Sequence, residues 1–193
     1  MKREGSSKIG KVSCPVTTAL YPVPVVLVSC GVERPNIITL AWVGTACSEP
    51  PMVAIAVRPS RHSHSLIREA GQFVVNLPTT ALLEALDRCG TVSGRDYDKF
   101  ALCGLTPLPA SRVQVPLIAE SPIHLECGVR RTVSLGSHDL FLGEIVAVQV
   151  DDALVGSDGR VDWEKADLIC YVAGTYRLLG EALAGHGFSR DRK

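Results

Sequence analysis

Short apolar runs closed by turn residues, rather than long amphipathic stretches, dominate the chain. Residues 23–30 are almost wholly apolar and end at Gly31 and the polar turn around Glu33-Arg34-Pro35-Asn36. Residues 37–46 form a second run. Residues 52–57 form a third, opened by Pro50-Pro51, which bars a helix there. Residues 73–76, 124–133, 141–150, 169–172 and 175–178 follow in the same style. Runs of this length, bounded by Gly, Pro, Asn and Ser, predict strands paired antiparallel across their turns. Two segments break the pattern. Residues 63–70 predict a helix with Ser63 at its N-cap and Gly71 just past its end. Residues 80–89 place Leu82, Leu83, Leu86 and Cys89 on one helical face, with Gly90 as the stop. Many short strands and few helices predict a mainly β fold closed into a barrel, because closure removes exposed edges. Residues 1–13 and 185–193 read as a flexible arm and tail flanking one domain, 14–184.

Composition narrows the function. Of 193 residues 46% are hydrophobic, enough for a substantial core. Twenty Lys and Arg balance twenty Asp and Glu, so no overall basic field draws in nucleic acid. A local anion site needs no net charge. The seven cysteines, at 14, 30, 47, 89, 103, 127 and 170, include no C-x-x-C pair, which argues against zinc or any other metal. Cys30, Cys127 and Cys170 sit in apolar runs and read as small buried hydrophobes of a reducing compartment. With no leader-like segment and no apolar stretch near the roughly 20 residues of a membrane helix, the expectation is a cytoplasmic protein away from membranes.

Four segments carry candidate chemistry. Arg58-Pro59-Ser60-Arg61-His62-Ser63-His64-Ser65 lies between a predicted strand and a predicted helix. A helix N-terminus offers unpaired N–H groups and partial positive charge, and the arginines, histidines and serines crowd the same point. That makes a phosphate site or, equally, a capped helix with solvated charges. Ser93-Gly94-Arg95-Asp96-Tyr97-Asp98-Lys99-Phe100 reads as a solvated loop or as ligand contacts from Ser93, Arg95 and Lys99 beside a freely turning Gly94. Asn36-Ile37-Ile38-Thr39-Leu40-Ala41-Trp42, with Ala46-Cys47-Ser48-Glu49-Pro50-Pro51 after it, reads as a buried strand and a proline turn, or as a surface that a flat ring approaches. His138, in Gly136-Ser137-His138-Asp139, is either an exposed loop histidine or a proton donor and nicotinamide contact. His124 and Glu126 share a strand face without a third ligand and read as structural. No nucleophile elbow, P-loop or G-x-G-x-x-G is present.

Taken in order, these segments resemble the flavin-reductase-like family, closest to its flavoredoxin branch and related NAD(P)H:flavin reductases. The resemblance runs over about residues 20–180 through Pro22-Val23-Pro24, Asn36–Trp42, Ser48-Glu49-Pro50-Pro51, Arg58–Ser63, Phe73-Val74-Val75-Asn76, Ser93–Phe100, Leu125-Glu126-Cys127, Gly136-Ser137-His138 and Gly143-Glu144-Ile145. It implies the FMN-binding split barrel: a six-stranded antiparallel β-barrel with a few peripheral helices, usually a homodimer with flavin near the subunit interface. By resemblance, Asn36, Thr39, Ala41 and Trp42 contact ring and ribityl chain, and Ala46, Cys47 and Ser48 line the flavin. Arg58, Arg61, His62 and Ser63 hold the phosphate, and Ser93, Gly94 and Arg95, with Lys99 beyond, complete the site. His138 then stands at the nicotinamide face. The implied activity is hydride transfer from NADH or NADPH to FMN. Electron carriage to a redox partner protein is the alternative, followed by a non-redox flavin module.

Overall fold

The structure is a computed structural model that describes residues 10–190; residues 1–9 of the expected arm and 191–193 of the expected tail lie outside the described residues. The ordered body opens with β1 (Val23–Pro24), β2 (Val26–Cys30) and β3 (Asn36–Leu40), followed by β4 (Val43–Ser48) and β5 (Pro51–Val57). Helix α1 (His62–Ala70) leads into β6 (Gln72–Leu77); a short 3-10 turn (Thr80–Leu82) then runs into α2 (Leu83–Thr91), and α3 (Lys99–Cys103) follows. Short β7 (Pro107–Leu108) and β8 (Leu117–Ile118) precede the long β9 (Ile123–Ser134) and β10 (Asp139–Val150). Strands β11 (Ile169–Val172) and β12 (Thr175–Leu178) complete the body.

Seven strands, not six, form the main sheet, in the order β3-β2-β6-β9-β10-β5-β4, antiparallel throughout. Strands β3 and β4, neighbours in sequence, stand at its opposite edges. Only Ala41 and Trp42 join them, so the sheet must curl until its edges approach. The expected continuous run over 37–46 is therefore two strands. At Trp42 the chain leaves β2's side of the sheet and enters β5's, with Ala56 N–H donating to the Trp42 carbonyl at 2.9 Å. The two read as one run because β4 continues with Val43 and the small residues Gly44 and Ala46, although only Val43 of β4 packs against the interior that β3 fills.

That interior holds Val26, Val28, Ile38, Val53, Ile55, Phe73, Cys127 and Phe141, closed at one end by Ile67 of α1. A second cluster lies on the outer face of the same strands, where Leu27 and Ile37 meet Leu86 and Cys89 of α2 and Phe100 of α3. Strand β2 is thus buried on both faces, which explains why its sequence is continuously apolar rather than alternating.

The helices depart from expectation at three points. Ser63 is not the N-cap of α1. Arg61 holds that position with no side-chain cap, and Ser63 lies buried inside the first turn. The helix does end as expected, at Gly71 in a left-handed conformation with φ 62°. Gly90 does not stop α2 but belongs to its last turn. It is small for packing: a Cβ there would stand 3.2 Å from Thr39 Cβ on β3. The expected loop at 93–100 ends in a helix, α3, capped by Asp98, whose carboxylate accepts from Phe100 and Ala101 N–H.

Candidate flavin site

Strand β5 ends inside the sheet at Val57, and the chain turns through Arg58-Pro59-Ser60-Arg61 into α1. The first turn of α1 contains no acidic residue and no capping side chain, so its partial positive charge is uncompensated by the chain. This turn opens on a cleft of about 250 Å³. Asn36 and Ile38 of β3 line one side, Arg58, Ser60, Arg61, His62 and Ser63 a second, and Cys89 and Gly90 of α2 with Val92, Ser93, Gly94, Arg95 and Lys99 a third. None of these residues is acidic, although the whole chain is neutral.

Three details fit a polyol phosphate. Lys99 is buried, 3% exposed, and its Nζ donates to the Cys89 carbonyl at 2.7 Å. Burial, and secondarily the charge of Arg61, pulls its pKa down from the usual lysine value. An anion between these cations would relieve both effects. Asn36 donates through Nδ2 to Ser63 Oγ at 2.8 Å, while its buried Oδ1 has no partner in the protein. That acceptor calls for a hydroxyl donor, such as a ribityl chain offers. A Cβ at residue 94 would stand 2.0 Å from Asn36 Oδ1, so only glycine leaves the cradle open. A group with a phosphate at one end and hydroxyls beside it fits this donor and acceptor set.

The expected site residues do not all meet. Asn36, Arg58, Arg61, His62, Ser63, Ser93, Gly94, Arg95 and Lys99 come together in the cleft. Thr39 does not face it: Thr39 Oγ1 donates to the Leu86 carbonyl and ties β3 to α2. Ala41 and Trp42 line a separate apolar groove with Val43, Val23 and residues 17–20. Ala46 and Ser48 are exposed on edge strand β4, and Cys47, half-buried there beside a bulge, donates to the Glu49 carbonyl at 3.4 Å. Nothing around Cys47 gives it a redox partner, and Cys47→Ser is expected to leave flavin affinity and turnover within about twofold, as surface substitutions away from special features do. A tenfold loss in either titration would assign the thiol a flavin contact.

His138 also lies outside the cleft, half-buried in the β9–β10 turn with Nδ1 2.9 Å from Ser137 Oγ. Burial, then the charge of Arg58, lowers its pKa, which favours neutral imidazole at pH 7. Sequence reasoning missed how this turn is held. His62 and His64 sit two residues apart on α1 and so point to opposite sides. His62 faces the cleft, while His64, buried, places Nε2 2.8 Å from Asp139 Oδ2 and its ring edge-on against Phe141. Asp139 also accepts from Ser134 Oγ at 2.7 Å. Those hydrogen bonds, Ser134's first and His64's second, hold the Asp139 carboxyl below the usual carboxylate range. The pair latches the His138 turn to the helix that lines the cleft.

Among the described residues no helix is long and apolar enough to cross a membrane, and no cluster of metal-ligating side chains forms.

Comparison with known proteins agrees with this geometry. A protein of Archaeoglobus fulgidus of uncharacterised function is 41% identical over 143 residues, 74% of this chain and 80% of that one. Flavoredoxin of Desulfovibrio vulgaris (Miyazaki F) superposes with a TM-score of 0.87 at 35% identity, covering 92% of this chain and 98% of that one. Flavoredoxin from Methanosarcina acetivorans superposes with a TM-score of 0.84 at 26% identity, covering 94% and 98%. The family model described as "Flavin reductase like domain" matches residues 18–177, and with the curled antiparallel sheet and its cleft already in view, the chain belongs to that flavin-binding family.

Proposed function

We propose that the protein binds FMN, with its phosphate in the cleft at the start of α1, and transfers hydride to it from NADH or NADPH. The observation that carries the reading is the acid-free ring of Arg58, Arg61, Arg95 and Lys99 around the unpartnered acceptor of Asn36. Arg58, Arg61, His62 and the α1 N-terminus take the phosphate charge. Asn36 and Ser63 orient the ribityl hydroxyls. Bound there, flavin would supply the two-electron chemistry, so no side chain need act as a nucleophile. Ala41 and Trp42, with Ala46, Cys47 and Ser48 of edge strand β4, would flank the flavin ring, Cys47 through its backbone rather than its thiol. That edge, with its apolar groove, suits a second copy of the chain, so a homodimer accompanies this reading; sedimentation tests it. A cytoplasmic setting fits the free cysteines.

His138, kept neutral beside Arg58, orients the nicotinamide from its latched turn. Purified protein with FMN is expected to oxidise NADH or NADPH well above the free-flavin rate. His138→Ala is expected to lower kcat/KM for the nicotinamide about tenfold, less than the roughly 10²- to 10⁴-fold of a group that transfers a proton because His138 only orients its ligand, with FMN affinity within about twofold. Oxidation no faster than with free flavin would overturn the reductase reading.

The overlap with flavoredoxin at 35% identity across nearly both whole chains supports a second reading, an FMN electron carrier for a protein partner. It is told apart by FMN that survives gel filtration and reacts slowly with nicotinamides.

A further inference from the structure

Two thiols meet where the cleft wall is built. Cys89, on the last turns of α2, lines the cleft, and Cys103 ends α3. Their sulfurs are 3.7 Å apart, in contact and unbonded. The segment between them carries Ser93, Gly94, Arg95 and Lys99, all lining the cleft. The contact that now joins the two helices there is noncovalent, from Lys99 Nζ to the Cys89 carbonyl. The thiols differ in access. Cys89 is fully buried, and burial first, with Cys103 second, pushes its pKa up to about 12. Cys103 is half-buried and lies in a second cleft of about 330 Å³ on the far side of α2, where Arg88, Glu84 and Glu120 stand beside it.

We propose that Cys89 and Cys103 form a reversible disulfide by exchange with a small peptide disulfide entering the cleft over Cys103, and that the bond pins the segment carrying the phosphate-side wall. Arg88 stands 3.8 Å from Glu84 across one turn of α2, so the cleft offers the disulfide access to Cys103 rather than charge attraction. Cys103 loses its proton to solvent, and the thiolate attacks one sulfur of the incoming disulfide. The external S–S bond breaks, and the first small thiol leaves and is protonated. Cys89 then attacks Cys103 Sγ, its proton passing to the second small thiolate as that leaves as a thiol. Two electrons pass from the protein dithiol to the external disulfide, and one disulfide becomes two thiols. The sulfurs must close from contact to a bond of about 2.05 Å, a shift that two short surface helices can absorb. The consequence for flavin rests on the FMN reading given above: a pinned wall releases its ligand more slowly, because less freedom is regained on opening.

The test incubates the full chain, with and without FMN, in oxidised or reduced glutathione, with Cys103→Ser as control. Peptide mass spectrometry is expected to find a Cys89–Cys103 cross-link only in the oxidised native chain. Amide exchange between residues 90 and 102 is expected to slow about tenfold on oxidation, as removing local opening requires, and Cys103→Ser to show neither change. FMN release is expected to slow about threefold to tenfold in the oxidised form, as preorganisation of a binding wall implies. Glutathione left attached to Cys103 without a cross-link, or a cross-link with unchanged amide exchange, overturns the proposal. A cross-link with slowed exchange and no FMN bound in either state supports it and overturns the flavin assignment instead.

Discussion

Arg61→Ala is expected to weaken FMN binding about 10- to 150-fold, the affinity equivalent of one charge-assisted hydrogen bond of about 1.5–3 kcal/mol, and to leave riboflavin binding nearly unchanged. The two ligands differ only in the phosphate, so the comparison isolates the contact assigned to Arg61. Arg61 is exposed, and solvent screens its charge, which places the loss toward the lower end. Arg58 and Lys99 line the same cleft and keep part of the phosphate attraction when Arg61 is removed. The N–H groups of the α1 first turn also persist, because they belong to the backbone. Fluorescence titration with both flavins at two ionic strengths is the measurement. The ratio of FMN to riboflavin affinity should fall in the variant and should fall in the native protein as salt rises. An equal loss for both flavins would show that Arg61 shapes the cleft rather than binding its anion.

The phosphate end of this site is legible in the sequence because charge, small residues and a strand-to-helix junction coincide within a few positions. Arg58, Arg61, His62 and Ser63 need only the turn between β5 and α1 to converge. Asn36 and Ser93-Gly94-Arg95 are distant in sequence, and an ordered likeness to a family, not local pattern, places them with the cluster. What stays hidden has physical causes. Trp42 breaks an apolar run into two strands on opposite sheet edges, and hydropathy cannot register a change of strand partner. Thr39 looks like a ligand contact in a strand, yet its hydroxyl goes to the Leu86 carbonyl because Gly90 lets α2 pack against it. Ser63 looks like a cap, yet it accepts from Asn36 inside the helix. The latch between His64 and Asp139 joins residues 75 apart and carries no local signal at all. Hydrogen-bond partners, unlike strands, are chosen by tertiary structure.

The same limit applies to Glu126, which sequence reads only as structural, and its removal carries the largest expected loss of stability. Glu126 is fully buried on β9, and among the described residues it makes no ion pair. Its carboxylate is held instead by donors: Oε1 accepts from Ser111 N–H at 2.9 Å, Ser111 Oγ at 2.8 Å and Gln149 Nε2, and Oε2 accepts from Arg112 N–H at 2.6 Å and Val113 N–H at 3.2 Å. Burial alone would raise the pKa, but the hydrogen bonds, Ser111 N–H foremost, win and lower it below the glutamate value of 4.5. Glu126→Ala empties a fully buried position and takes the acceptor from three backbone N–H groups, Val113's half-buried and those of Ser111 and Arg112 on exposed residues, and should cost about 3–5 kcal/mol in denaturant unfolding. Glu126→Gln keeps the shape, but either orientation of its amide turns N–H groups toward N–H donors, so a loss of about 2–4 kcal/mol is expected at pH 7. The pH dependence separates charge from shape. Because the folded-state pKa is depressed, the stabilisation is complete above the unfolded value near 4.5 and is lost as pH falls through the folded value. The gap between native protein and Glu126→Gln should therefore be constant from neutrality down to about pH 5 and narrow below it, as the native carboxyl takes up the proton that makes it resemble the amide. A gap that stays constant through acid would mean that Glu126 acts through packing alone, and the cluster of donors around it would need another explanation.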